Sequence, residues 1–189
     1  MLRGRLRTSV CGPAFFHGAK ALIIEAERYW RNRLQFEHLI EINDPLNPLL
    51  EPLTPHQIWQ GLVLRAREPE AFMLGLDRAE ILSDTGNVLE RELHFGSARI
   101  RDTVTLTPNT AVRYDTHATA DHAGGSLAMS IETPDDVRLF VRFVYVTTMA
   151  DADAGGDTRY ADIVRSAYHA ADLDTIARIR EFAAAGRLG

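Results

Sequence analysis

The residues whose types and spacing most suggest chemistry are Arg91 and Asp102. Two strand-like runs, Val88 to Phe95 and Ala98 to Thr107, are separated by Gly96-Ser97, a two-residue connection of the kind that joins hairpin strands. Counting outward from that turn sets Phe95 opposite Ala98, Leu93 opposite Ile100, Arg91 opposite Asp102 and Leu89 opposite Val104. These eight share one face and six of them are apolar, whereas the other face carries Glu90, Glu92, His94, Arg99, Arg101 and Thr103. A one-residue slip that sent Arg91 to solvent would expose five large apolar side chains with it, so the pattern predicts an inward ion pair. A buried pair adds little stability, because attraction only roughly offsets the desolvation of two ions. Two readings follow. Arg91, steadied by Asp102, offers a fork of donors to a carboxylate, enolate or ketone of a ligand, or the pair is a structural salt bridge near a cavity rim.

His38 lies among Phe36, Ile40 and Ile42 on the apolar side of an alternating run, as a hydrogen-bonded core residue or an acid-base group. Tyr114 and Thr116 share the parity of Val112 and are expected to face inward near Asp102, and Tyr145 shares that of Val141 and Phe143. Trp59, on a helix, is either core or the closure of one end of a cavity. Arg142 depends on the length of the preceding loop, which leaves its facing open. Asp115, His117, Asp121 and His122 resemble metal ligands in isolation, but parity puts Asp115 and His117 on the outer face and Asp121-His122 in a turn, so no metal is expected. Gly124-Gly125-Ser126 falls between strands and does not open a helix, which makes it neither a phosphate cradle nor a nucleophile elbow.

The elements that must position these groups are legible as periodicities. Phe36 to Ile42 alternates as a strand, and Asn43 to Leu53 carries Pro45, Pro48 and Pro52 and reads as a loop. Thr54-Pro55-His56-Gln57 is a capping box with proline at the first helical position, followed by Ile58, Trp59, Leu62, Val63 and Ala66 on one stripe. That helix ends at Glu68 before Pro69, which can open a second short one through Phe72 and Met73. Six strand-like runs follow: 78–83, 88–95, 98–107, 112–119, 126–133 and 138–147, with connections short enough for antiparallel hairpins. An acidic Gly/Ala-rich loop over 149–157 precedes Arg159 to Ala185, a helix of about 40 Å with Ile163, Ala167, Ala170, Leu173, Ile176 and Ile179 expected near its inner face. The sum is an α+β domain: a curved seven-stranded antiparallel sheet wrapped on a long C-terminal helix, with two short helices.

The 189 residues, 46% hydrophobic and 25% charged, suffice for one such core and exclude disordered, collagen-like and disulfide-scaffold classes. No apolar run approaches the length of a membrane-spanning helix. The lone Cys11 cannot form an internal disulfide and fits a reducing, cytoplasmic setting. Residues 1–34 hold seven Lys/Arg against two Glu, net +5, while the remainder holds 14 basic and 24 acidic residues, net -10, which opposes nucleic-acid binding. This first segment, with broken periodicity, is read as an N-terminal extension, poorly ordered or weakly helical, in front of a domain over 35–189.

Phe36-Glu37-His38-Leu39, the run WQGLVLRAREP from Trp59 to Pro69, AGGSLAMSI from Ala123 to Ile131, LFVRF from Leu139 to Phe143 and the final helix together carry a resemblance to the AtaL-like branch of the SRPBCC superfamily. That superfamily includes START domains, polyketide cyclases and the birch pollen allergen, and the resemblance implies the helix-grip fold with an internal pocket for an apolar or polycyclic small molecule. The glycine-rich loop of the allergen-like relatives has only Asp84-Thr85-Gly86-Asn87 in its place. The expected function is binding of an apolar or aromatic, polyketide-, lipid- or phenolic-like molecule, with Arg91, Asp102, His38, Tyr114, Thr116, Tyr145 and Trp59 as candidate contacts. The alternatives are a cyclase or aromatase acting on such a ligand, and a structural or partner-binding module without one. No cofactor is expected, and the oligomeric state is open.

Overall fold

The computed structural model describes residues 33–47, 49–120, 124–148 and 158–189; residues 1–32 of the extension expected over 1–34, Asp121, His122 and the acidic loop expected over 149–157 lie outside them. Seven strands form one antiparallel sheet: β1 (Arg33–Asn43), β2 (Arg78–Asp84), β3 (Val88–Phe95), β4 (Ala98–Thr107), β5 (Ala111–Thr116), β6 (Gly125–Glu132) and β7 (Leu139–Thr148). Their spatial order is β1-β7-β6-β5-β4-β3-β2, so every connection after β2 is a hairpin and β1 closes onto the last strand. Helices α1 (Pro55–Arg67) and α2 (Thr158–Ala184) complete the helix-grip architecture, with a single 3-10 turn at Pro69–Ala71 where a second short helix was expected. No helix among the described residues is long and apolar enough to cross a membrane.

Local chemistry sets these boundaries. The Thr54 side chain accepts from the Gln57 backbone while the Gln57 side chain reaches back to the Thr54 backbone N–H, and Pro55 occupies the first helical position, as the sequence predicts for α1. The β5 strand stops at Thr116, three residues before the expected end, and the chain returns through Gly124 at φ +76°. A side chain there would meet the Thr116 carbonyl oxygen at 2.9 Å, so glycine is required where the two strands begin to pair.

The register organises the inner face into rows running across the strands. One row is Arg91, Asp102, Thr116, Gly125 and Thr147. The next is Leu89, Val104, Tyr114, Leu127, Tyr145 and Phe36, and a third is Leu106, Val112, Met129, Phe143 and His38. The apolar members of the third row, Leu106, Val112, Met129 and Phe143, join Ile58 and Leu62 of α1 and Ile176 and Ile179 of α2 in one continuous core. Each fully buried aliphatic or aromatic side chain there stabilises the fold by about 1.5–3 kcal/mol relative to exposure.

The inner face of α2 differs from the expected one. Ile163 and Leu173 are 67% and 47% exposed, and Ala167 and Ala170 are exposed too, leaving only Ile176 and Ile179 of the expected stripe buried. The buried stripe is instead Asp172, Thr175, Ile176, Ile179 and Phe182. Its first two members are polar and satisfied, Asp172 by groups of the sheet and Thr175 by the Ala171 carbonyl, so a search for apolar period alone misplaces the helix face.

Gly61 of α1 lies directly against Ile179 of α2. A methyl there would lie 2.7 Å from both Cγ atoms of Ile179, a β-branched side chain with little freedom to move aside. Gly61→Ala should therefore destabilise the fold by about 1 kcal/mol or more, overpacking outweighing the better helix propensity of alanine. Urea unfolding checks this, and a stabilised variant would mean that the helices part freely.

Candidate functional site

The β3–β4 hairpin adopts the register counted from Gly96-Ser97, with Arg91 opposite Asp102. Both are buried, at 2% and 4% exposure. The Arg91 guanidinium donates from Nε and Nη2 to the two Asp102 oxygens, at 2.9 and 2.6 Å, and from Nη1 to the Ala66 carbonyl at 2.6 Å. The last contact ties the C-terminal end of α1 to the sheet, placing a cation where the helix exposes unpaired carbonyls. Arg91 thus gives three donors to acceptors within the protein.

A second polar cluster forms where α2 crosses β1 and β7. His38 is 10% exposed, and its Nδ1 lies 2.8 Å from one oxygen of Asp172. The Tyr145 hydroxyl donates to the other. Asp172 itself is 1% exposed. Burial raises the pKa of its carboxyl, and the hydrogen bonds from Tyr145 and His38 pull the other way, as does the charge of Arg65. Burial likewise pushes the Tyr145 phenol well above its ordinary range, helped by the adjacent Asp172. The helix adds aromatic neighbours: Tyr168 stacks on Tyr145 with ring centres 4.1 Å apart and planes 4° from parallel, and His169 meets the His38 ring edge-on at 4.9 Å.

This cluster borders a pocket of about 200 Å³ lined by Thr116, Gly124, Gly125, Ser126, Leu127, Tyr145, Val146, Thr147 and Tyr168. Of the expected contacts, Thr116 and Tyr145 line it. Tyr114 is in the row beside Leu127, 4% exposed, and its hydroxyl has no hydrogen-bond partner among the described residues. Arg91, Asp102, His38 and Trp59 are not among its lining residues, and Trp59 is half-buried against the core. A larger depression of about 640 Å³ opens elsewhere, between Leu53-Thr54-Pro55 and the Thr133–Leu139 turn.

Parity places several other groups outside. Asp115 accepts a two-pronged contact from Arg113, at 2.8 and 2.6 Å, and His117 pairs with the Thr103 hydroxyl at 2.8 Å. Among the described residues no group of three or more His, Cys, Asp or Glu could hold a metal ion. Arg142, whose facing the sequence left open, lies on the outer side, where its Nε and Nη2 grip Glu132 at 2.5 and 3.0 Å and its Nη1 bonds Glu37.

Asp172, Tyr168 and Arg65 are the site residues that sequence reasoning missed. Tyr168, Asp172, Thr175, Ile179 and Phe182 recur at helical spacing, a signal visible only if polar residues are admitted to the inner stripe.

The family model for acetylaranotin biosynthesis cluster protein L, AtaL, matches residues 40–186. No curated protein sequence matches the chain. Among solved structures, the di-domain aromatase/cyclase StfQ of the steffimycin biosynthetic pathway is similar over 86% of this chain, with a TM-score of 0.64 and 11% identity. The chain spans 55% of the length of that protein. The Zhui aromatase/cyclase from Streptomyces sp. R1128 matches 79% of this chain and 92% of its own, with a TM-score of 0.54 and 15% identity. A norcoclaurine synthase point mutant from Thalictrum flavum, in complex with a transition-state analogue, matches 78% and 94% with a TM-score of 0.56 and 11% identity. At these identities the likeness is one of fold.

Proposed function

We propose that this chain, which belongs to the AtaL family of SRPBCC helix-grip proteins, binds an apolar or aromatic small molecule in the pocket beside Tyr145 and Tyr168. The observation that carries this reading is the Tyr145–Tyr168 stack, which offers aromatic surface to the pocket while the buried Asp172 fixes the phenol of Tyr145. Ligand sites generally combine such apolar walls with a few placed polar groups. Thr116 and Tyr145 are those groups here, and Arg91 with Asp102 braces the sheet beneath them instead of touching the ligand. The volume of about 200 Å³ exceeds the roughly 150 Å³ that admits benzene and falls short of the roughly 300 Å³ where drug-sized sites begin. One- or two-ring molecules suit it better than long polycycles.

A two-ring phenol, 2-naphthol, should bind the folded protein and raise its melting temperature by mass action. Native mass spectrometry of freshly purified protein should also show a retained small molecule. If 2-naphthol associates only as the protein begins to melt, the pocket is not a ligand site.

The second reading, turnover of the bound molecule in a cyclase- or aromatase-like step, rests on the His38–Asp172 contact. A carboxylate on Nδ1 fixes the imidazole tautomer and stabilises the imidazolium that proton abstraction creates. Product formation from a panel of poly-β-ketone or phenolic substrates, lost in His38→Gln with binding retained, is the result expected of an enzyme; binding without turnover leaves the first reading standing alone.

A further inference from the structure

Among the described residues, two polar atoms buried on facing elements have no hydrogen-bond partner. One is the Tyr114 hydroxyl on β5, and the other is Nε of Arg65 on α1. They belong together: the Arg65 guanidinium carbon lies 5.1 Å from the centre of the Tyr114 ring, and that of Arg91 lies 5.2 Å from the same ring. The two cations differ in one respect that decides their roles. Arg91 is neutralised by Asp102, whereas Arg65 makes no ion pair among the described residues. Its charge does reach the adjacent cluster, opposing the burial that raises the pKa values of Tyr145 and Asp172, but Asp172 is already engaged by His38 and Tyr145.

The buried Nε of Arg65 and the buried hydroxyl of Tyr114, each without an acceptor among the described residues, cost free energy in the empty protein. Both are donors, and both are short of the same thing, an oxygen acceptor. Tyr114 stands beside Leu127 and Leu127 beside Tyr145 in a single row across the sheet, and the latter two wall the pocket. We infer that Arg65 and Tyr114 are the anion-recognising end of the ligand site, receiving a carboxylate, phenolate or enolate oxygen on the molecule whose ring lies against Tyr145 and Tyr168. This rests on the ligand-binding reading above and adds the acidic oxygen to it. It also transfers to Arg65 the donor role that the sequence suggested for Arg91, whose Nε and Nη donors already meet Asp102 and the Ala66 carbonyl.

The test compares 2-naphthoate with its neutral isostere 2-naphthamide by calorimetric titration of the full chain at pH 7.5. The unsubstituted protein should prefer the carboxylate. Arg65→Met should weaken 2-naphthoate about tenfold or more, as expected for a lost charge-assisted hydrogen bond, and change 2-naphthamide little. Tyr114→Phe should weaken 2-naphthoate by a smaller factor. Neither variant should melt at lower temperature than the parent in the absence of ligand, because each removes an unsatisfied group; a variant that fails to fold would show that the group is satisfied in the empty protein and overturn the assignment. If both probes bind and Arg65→Met weakens them equally or not at all, the pocket stands and the role of Arg65 does not. If neither these probes nor 2-naphthol binds, the ligand-binding reading fails and takes this one with it.

Discussion

Asp102→Ala should destabilise the fold by about 3–5 kcal/mol, the cost of leaving a buried cation without its carboxylate. Arg91 is 2% exposed and hemmed in by the strand pair, the Tyr114 ring and the end of α1, so it has no path to water that leaves the sheet intact. The double replacement Arg91→Met with Asp102→Leu should recover most of that loss, since both charges and both desolvation penalties disappear together. Recovery will be incomplete because the Ala66 carbonyl also loses its donor from Arg91. Equilibrium urea unfolding of Arg91→Met, Asp102→Leu and the double variant gives the coupling energy directly. Additive single effects below about 1 kcal/mol would be the signature of a solvated pair and are incompatible with the burial described here. The prediction also separates framework from site: Asp102→Ala acts through stability, whereas Arg65→Met acts through ligand affinity.

The hairpin at Gly96-Ser97 was legible in the sequence because two short-range constraints coincide there, a turn that fixes register and an alternation that fixes facing. The same alternation put Phe36, His38, Tyr114 and Tyr145 on the inner face and Asp115 and His117 on the outer one. The α2 side of the site was not legible by that method. A helix covering a polar cluster buries polar residues on its inner stripe, so Asp172 and Thr175 occupy positions where an apolar pattern is sought, while Ile163 and Leu173 face away from the sheet. Arg65 was hidden for a different reason. It lies one residue before Ala66 on a helix whose stripe was correctly placed, and a long side chain can turn its charged end over the neighbouring sheet from a flanking position. Neither periodicity nor spacing encodes that choice of rotamer. The contrast explains why the sequence pointed to Arg91, which the strand register holds inside, and passed over an arginine whose placement depends on a tertiary contact between α1 and β5.

Asp172→Ala should cost roughly 2–4 kcal/mol at acidic pH and progressively less as the pH rises. The loss arises because the Tyr145 hydroxyl and the His38 ring nitrogen, both largely buried, lose the carboxyl that each contacts, at about 1–3 kcal/mol per stranded group. The pH dependence follows from burial, which holds the folded-state pKa of Asp172 above its unfolded value of 3.8. Between those two values the folded protein keeps a proton that the unfolded chain gives up, so the contribution of Asp172 is fully present below 3.8 and is lost as pH rises through the folded-state pKa. Carboxylates shifted the other way, Asp84, Glu92, Glu132 and Asp135, stabilise both proteins equally with rising pH and cancel in the difference between parent and variant. Asp172→Asn keeps an acceptor for Tyr145 and cannot ionise, so the parent should lose stability relative to it across the same interval. Melting temperatures of the three proteins from pH 4.5 to 8 test this. A parent-minus-variant difference that grows with pH would mean that Asp172 favours its ionised form when folded, against the direction that burial imposes.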